Sequence, residues 1–317
     1  MRYSDPAHVD SAKPISGLKG ALRYVRAYRN RVFVVKIGGE VAGDPEALDR
    51  AVAQVGLLHS LGVRVVLVHG GSRQASALSR RLGHEPRIVA GRRVTDDAAR
   101  EVAIMVYGGT INVEILTALR VHHVPAVGLS GIDGELVTVT RRPPVETVDD
   151  DGHRAVVDYG WVGDVTTVDP TVLETLLVAR FVPVVACLAA DEAGEVYNVN
   201  ADTIAERIAV AMGAMKLIVL TGVAGVLRDR DDPTSIVSFA DARDVEALVA
   251  SGAVAGGMRP KVEACVRAAA GGVERTHIID GRLPDAILQE VFTGAGCGTM
   301  IVNRREKADY PDVEPEE

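Results

Sequence analysis

Two lysines and one aspartate, each next to a turn segment, are the residues of this sequence best suited to chemistry. Lys36 follows the apolar run VFVV and precedes Gly38 and Gly39, Lys261 follows a second glycine pair, and Asp202 lies in the segment YNVNADTIA. Two lysines can neutralise a migrating phosphoryl group, and an aspartate between them can fix their positions and keep both protonated. The set therefore predicts phosphoryl transfer. The alternative is that both lysines are solvated at turns and that Asp202 only caps the following helix.

A second glycine turn follows the next apolar run. Gly70, Gly71 and Ser72 come directly after the stretch VRVVLVH. Because parallel strands align their carboxyl ends, both glycine turns are expected to face one crevice, where their amides can bind phosphate oxygens. The sequence contains no G-x-x-x-x-G-K-[ST], no H-R-D and no G-x-G-x-x-G motif, which excludes the commonest phosphate-binding signatures.

Apolar strand runs alternate with amphipathic helix patterns along most of the chain, which is typical of an α/β fold with a mainly parallel sheet. We expect a disordered N-terminus over 1–15, an amphipathic helix over 16–30, two α/β lobes over 31–190 and 191–303, and a flexible tail over 304–317. The helix over 16–30 is either an oligomerisation arm or a helix packed on its own domain. The two lobes are expected to share one continuous sheet.

Composition limits the class of partner. The net charge is -8 with a pI near 5.6, so a nucleic-acid partner is not expected. The three cysteines show no disulfide or metal spacing, and the N-terminus lacks the apolar core of a signal peptide. We therefore expect a cytoplasmic protein with no membrane span and no metal site built from its own side chains.

Eight motifs occur in an order that resembles the amino acid kinase superfamily and, within it, the acetylglutamate kinases. They are VVKIGG, VLVHGG, GRRVTD, GLSGIDG, YNVNADTIA, KLIVLTGVAGVL, GGMRPK and HIIDGRLPDAILQEVFTGAGCGTMI. The resemblance implies a three-layer αβα sandwich and phosphorylation of the side-chain carboxylate of N-acetyl-L-glutamate by ATP with Mg²⁺, a step of arginine synthesis. It implies an N-acetylglutamate-binding and dimerisation lobe over 31–190 and an ATP-binding lobe over 191–303.

The resemblance also assigns roles to single residues. Lys36 and Lys261 match lysines that stabilise the transition state, and Asp202 matches the aspartate that organises them. No covalent enzyme intermediate is implied. The other matches are phosphate-binding amides at Gly38, Gly39 and Gly70, substrate contacts at Gly71, Ser72, Arg93 and Asn198, and nucleotide contacts at Thr221, Gly222, Gly257 and Met258.

Three departures from the family pattern keep other functions open. Ser72 replaces a usual glycine, Arg73 a usual proline, and Gly222 a usual aspartate near the nucleotide. The turn at Ser72 also resembles kinases of lysine synthesis that phosphorylate aminoadipate or glutamate on a carrier protein. A non-catalytic amino-acid sensor is a second alternative, and kinases of aspartate, carbamate or UMP are a third.

The N-terminal stretch ALRYVRAYRNRVFVVK resembles the extra helix of arginine-inhibited, hexameric acetylglutamate kinases. The resemblance extends to regions that line the arginine site, and it implicates Tyr28, His277, Glu290 and Gly296. We therefore expect L-arginine as an inhibitor and a homo-oligomer, either a dimer or a hexamer.

Overall fold

The computed structural model describes residues 22, 24–148, 154–294 and 296–303. An eight-stranded sheet forms its centre, and every neighbouring pair except β15–β16 is parallel. The predicted mainly parallel α/β fold is thus confirmed. In spatial order the strands are β14 (Phe239–Ala240), β16 (Thr299–Ile301), β15 (Arg275–Asp280), β13 (Lys216–Thr221), β1 (Val32–Ile37), β2 (Arg64–His69), β10 (Val182–Ala186) and β5 (Ala126–Ser130).

Buried apolar residues explain why the central strands form. Five of the six residues of β1 and of β2 are buried, as expected for parallel strands covered on both faces. β1 pairs with β2 on one side and with β13 on the other, so strands of both predicted lobes lie in one sheet. The lobe boundary itself stays a prediction.

Helix α3 packs against both α6 and α11 and contacts β2. Helices α8 and α10 pack on each other and contact β13, and α8 also contacts β1. This is the expected αβα sandwich. The helices are α1 (24–28), α2 (Gly39–Ala42), α3 (Pro45–Ser60), α4 (Ser72–Arg81), α5 (Asp97–Ala103), α6 (Asn112–Val121), α7 (Thr171–Val178), α8 (Ala201–Ala211), α9 (Ala242–Ala250), α10 (Arg259–Ala270) and α11 (Ala286–Phe292).

Smaller sheets lie beside the central one. A four-stranded sheet has the order β12 (Val196–Asn198), β11 (Leu188–Ala190), β6 (Val137–Arg141) and β9 (Gly163–Val168). Two hairpins are formed by β3 (Ile88–Val89) with β4 (Arg92–Arg93), and by β7 (Val145–Val148) with β8 (Arg154–Val157).

One long helical stretch runs through α5, a π-helical segment (Ile104–Ile111) and α6. Asp96 caps its start by accepting from Ala99 N at 2.9 Å. The glycine pair 108–109 does not break this stretch, because the chain widens into π geometry there instead. By length and composition the 25 residues Asp97–Val121 could cross a membrane, but Ile111, Ile115 and Leu119 are buried in the hydrophobic core, so this is a core helix.

Residues 16–21 and 23 of the predicted N-terminal helix lie outside the described residues, as do all of 1–15 and 304–317. Its described end, α1, carries Tyr28, which is 4% exposed and whose hydroxyl donates to Val291 O at 3.0 Å. The Tyr28 ring centroid lies 5.2 Å from that of Phe33 and 5.8 Å from that of Phe292. These contacts pack α1 against α11 and the first strand.

Candidate active site

A cleft of about 650 Å³ opens where the glycine turns after β1 and β2 meet the starts of α8 and α10. As predicted, it brings together residues from distant parts of the sequence. Those that line it are Lys36, Gly39, Gly70, Gly71, Ser72, Arg93, Asn198, Asp202, Gly257 and Lys261. Arg73, a departure from the family pattern, also lines it.

The centre of the cleft is a buried carboxylate between two lysines. Lys36 Nζ lies 2.8 Å from Asp202 Oδ1, and Lys261 Nζ donates to Asp202 Oδ2 at 3.4 Å. Lys36 and Asp202 are each 5% exposed. Lys261 also donates to Gly257 O at 3.2 Å, which anchors it to the turn before α10. We call these three residues the lysine–aspartate centre.

Asp202 is free for this role because another residue caps its helix. Asn200 Oδ1 accepts from Asp202 N at 2.7 Å and from Thr203 N at 3.2 Å. The alternative that Asp202 only caps α8 is therefore wrong. Burial alone would raise the pKa of Asp202, but the charges of Lys36 and Lys261 outweigh burial and hold it below the ordinary value of 3.8. The carboxylate stays ionised and orients both lysines.

At two turns a glycine is required because a larger side chain would clash with neighbouring atoms. A Cβ on Gly38 would lie 2.6 Å from Leu220 O, the carbonyl to which Gly38 N donates at 3.0 Å. A Cβ on Gly71 would lie 2.0 Å from Ile111 Cδ1 in the π segment. Side chains at either position would push apart the elements that form the floor of the cleft.

His69 is structural. It is fully buried between strands, where Asn112 Nδ2 donates to its Nε2 at 3.3 Å, which places the ring proton on Nδ1, beside Gly70 O at 3.4 Å. Burial lowers the pKa of His69 to about 4, so the imidazole is neutral at pH 7.

The candidate substrate residues enter from two small strands. Arg93 ends β4, and its Nη2 donates to Ser72 O at 2.8 Å and to Ser76 Oγ. Asn198 ends β12, and its Nδ2 donates to Thr95 Oγ1 at 3.2 Å. The sequence motifs did not indicate Ser76, which lies one helical turn after Ser72.

Thr221 and Gly222, at the end of β13, lie beside a residue that the sequence motifs did not indicate. A Cβ on Gly222 would lie 3.1 Å from Glu40 Cγ and 3.8 Å from Arg282 Cζ, so an aspartate there would crowd Glu40, whereas Arg282 lies at an ordinary contact distance. Glu40 lines the cleft from the first turn of α2, directly after Gly39. Met258 ends the 3₁₀ turn that precedes α10.

The residues predicted for arginine form a second, separate cluster. His277 Nδ1 donates to Glu290 Oε1 at 2.7 Å, and Glu290 Oε2 accepts from Cys297 N at 2.6 Å, next to Gly296. Lys216, which the sequence motifs did not indicate, donates from Nζ to His277 Nε2 at 3.1 Å and lies 5.7 Å from the centroid of the Tyr28 ring. We call this group the α1–α11 cluster.

Burial is the largest cause of the pKa shifts of His277 and Lys216 in this cluster. It lowers the pKa of His277 to about 4 and, with the nearby Arg275, that of Lys216 to about 8. Burial alone would raise the pKa of Glu290, but its hydrogen bonds from His277 and from backbone amides hold it below the ordinary value. At pH 7 the imidazole of His277 is therefore neutral, and it lies between the ammonium of Lys216 and the carboxylate of Glu290.

The fold and the site together define a phosphotransferase class. The model of the "Amino acid kinase family" matches residues 31–280, and the chain belongs to this family. An acetylglutamate kinase of Myxococcus xanthus is 43% identical over 302 residues, which cover 95% of this chain and 97% of the relative. The acetylglutamate kinase of Moorella thermoacetica is 42% identical and covers 89% of this chain and 95% of its own length. Within the family, the chain belongs to the acetylglutamate kinases.

Solved structures give the same fold. An N-acetylglutamate synthase from Neisseria gonorrhoeae, complexed with coenzyme A and N-acetyl-glutamate, superposes with a TM-score of 0.77 at 27% identity. The match covers 92% of this chain but only 63% of the synthase chain. The same synthase, complexed with coenzyme A and L-arginine, gives a TM-score of 0.76 at 25% identity. A Giardia carbamate kinase shares the fold at a TM-score of 0.62 and 17% identity.

Proposed function

We propose that this chain transfers the γ-phosphoryl group of ATP to the side-chain carboxylate of N-acetyl-L-glutamate. The observation that carries the proposal is the lysine–aspartate centre, a carboxylate held between two lysines at the meeting point of the glycine turns. The names of the relatives at 42–43% identity support the choice of substrate.

Phosphoryl transfer needs positioning and positive charge more than covalent help. Lys36 and Lys261 neutralise the charge on the migrating group, one from each side of Asp202. The substrate carboxylate attacks the γ-phosphorus directly. The amides of Gly39 and Gly70 bind phosphate oxygens during the transfer, while Thr221, Gly222, Gly257 and Met258 contact the nucleotide. The amide of Gly38, which the sequence also predicted to bind phosphate, already donates to Leu220 O at 3.0 Å within the fold, so it is not part of this proposal.

The other end of the substrate is proposed to lie against Arg93 and Asn198. A guanidinium binds a carboxylate through two parallel hydrogen bonds, which suits Arg93 for the α-carboxylate of the substrate. Asn198 contributes a polar contact from β12, and the amides of Gly71 and Ser72 hold the substrate at the start of α4.

The residues of the cleft fit a Mg²⁺ ion that arrives with ATP. Both carboxylate oxygens of Asp202 face lysines, and the described part of the chain holds no group of three or more His, Cys, Asp or Glu side chains able to bind a metal ion. The phosphates of ATP would therefore hold the ion, with Glu40 as an additional carboxylate in the cleft. Bound there, Mg²⁺ would add positive charge beside the phosphates during the transfer.

We further propose that L-arginine inhibits the enzyme at the α1–α11 cluster. Two observations support this: the Tyr28 ring of α1 lies beside Lys216, which donates to His277, and the structurally similar synthase from Neisseria gonorrhoeae has been crystallised with L-arginine. Glu290 offers a carboxylate for the guanidinium of the ligand. Assembly into a dimer or hexamer through the N-terminal helix, and a cytoplasmic location, stay predictions.

The direct test is ATP consumption by the purified protein with N-acetyl-L-glutamate, with hydroxylamine present to trap the acyl phosphate, measured with and without millimolar arginine. Trapped product that arginine suppresses supports both proposals, whereas product that arginine leaves unchanged removes the inhibition alone. Turnover with aminoadipate or N-succinyl-glutamate, but none with N-acetyl-L-glutamate, would replace the proposed substrate. No turnover on any of the three would contradict the kinase assignment.

A further inference from the structure

The guanidinium of Arg93 is held by the first turn of α4. Its Nη2 donates to Ser72 O at 2.8 Å and to Ser76 Oγ, while Ser72 Oγ is farther away at 3.4 Å. Ser76 is therefore the side chain that anchors this arginine, from a position 17 residues earlier in the chain. Ser76 is buried and does not line the cleft, so it stands behind Arg93.

The two acceptors hold only one edge of the guanidinium. Ser76 Oγ donates to Ser72 O at 2.9 Å, so both oxygens lie side by side against Nη2. Arg93 Nε is buried and has no hydrogen-bond partner among the described residues. The remaining nitrogen, Nη1, makes no hydrogen bond among the described residues and is not buried, so a carboxylate in the cleft can bind it. The arrangement leaves donors on the guanidinium for a ligand while its far edge is fixed.

We propose that Ser76 is a positioning residue that sets the affinity for the acceptor substrate by fixing the guanidinium of Arg93. This inference rests on the proposed binding of the substrate α-carboxylate by Arg93. A free arginine side chain samples many rotamers, and ordering it when the substrate binds weakens binding. The hydroxyl of Ser76 orders the side chain in advance.

The test is a double-mutant cycle on KM and kcat for N-acetyl-L-glutamate, made from Ser76→Ala, Arg93→Ala and the double variant. We expect Ser76→Ala to raise KM about 3- to 12-fold, the range for one immobilised side chain, with kcat within about twofold. Arg93→Ala should raise KM further, and adding Ser76→Ala to it should have no additional effect, because the anchored group is gone.

Two further variants separate positioning from general stability. Ser79→Ala removes a buried hydroxyl from the same helix that donates to His84 O at 2.7 Å and does not contact Arg93, so KM should not change. Ser76→Thr keeps the hydroxyl and should restore most of the affinity.

Three results would overturn the inference: an unchanged KM in Ser76→Ala, additive effects of the two substitutions, or an equal rise of KM in Ser79→Ala. If Arg93→Ala itself leaves KM unchanged, then the proposed carboxylate contact is wrong, and this result is distinct from a failure of Ser76 alone.

Discussion

Replacing Asp202 by asparagine tests the lysine–aspartate centre most directly, because it removes one charge and keeps the shape. Lys36 is only 5% exposed and would lose its anion at 2.8 Å. Breaking a buried ion pair by removing one partner costs about 3–5 kcal/mol. With about 2.1 cal/mol/K of unfolding entropy per residue, this lowers the Tm of a chain of 317 residues by about 5 to 8 °C.

The same change should lower kcat by about 10²- to 10³-fold, the usual effect of removing one element of transition-state electrostatics. Stability is measured by thermal unfolding at pH 7, and activity by trapping the acyl phosphate with hydroxylamine. Because the pKa of Asp202 lies below 3.8, its stabilisation is complete above the ordinary pKa and is lost as the pH falls through the lowered one. The difference in stability between wild type and variant should therefore disappear in strong acid.

Glu206→Gln is the matched control. Glu206 lies one turn further along α8, is 4% exposed and pairs with Arg267 at 2.9 Å. Its neutralisation should lower stability but leave kcat within about tenfold of the wild type, since it holds neither lysine. The reasoning is refuted if Asp202→Asn keeps more than a tenth of the wild-type kcat, or if the two variants lose activity equally.

Three other expectations concern stability and reactivity. Burial lowers the pKa values of both His69 and His277 to about 4, so between about pH 4 and 6.5 the unfolded chain binds up to two more protons than the folded chain. Urea unfolding at pH 7, 6 and 5 should therefore show a stability that falls with the pH, and His69→Asn should reduce the slope of stability against pH. Gln54 Oε1 accepts from Ile287 N at 2.8 Å, so Gln54→Leu should cost about 1–3 kcal/mol in the same assay; a smaller loss would contradict this capping role. Burial raises the pKa of Cys187 to about 12, so iodoacetamide at pH 8 should leave it unmodified, by mass spectrometry, until urea is added.

The parts of the fold that the sequence predicted are those with local signals. β1 and β2 are apolar runs that end in glycine turns, and the alternation of strands with helices fixes which ends of the strands meet. Lys36 and Lys261 could therefore be placed at one crevice from the sequence alone. Their placement needs only strand direction and the position of a turn.

The parts that the sequence missed depend on tertiary contacts between distant residues. Ser76 matters because a hairpin places Arg93 over the start of α4. Lys216 matters because α11 brings Glu290, and β15 brings His277, to the same cluster. Nothing in the local pattern around a serine or a lysine reports such a neighbour. The same holds for Gln54, whose partner at the start of α11 is 233 residues away.

The π segment makes the length of one helix critical. Each residue of a regular α-helix turns the chain by about 100°, and a π turn accommodates an extra residue without breaking the helix. Deleting Gly108 or Gly109 would let the segment relax to α geometry and rotate α5 by about that angle relative to α6. Tyr107 and Ile111 could then no longer both pack against Gly71. The turn at Gly71 and Ser72 is thus sensitive to the deletion of one residue from this helix. Substitutions at Gly108 or Gly109, in contrast, would add side chains where space is ample.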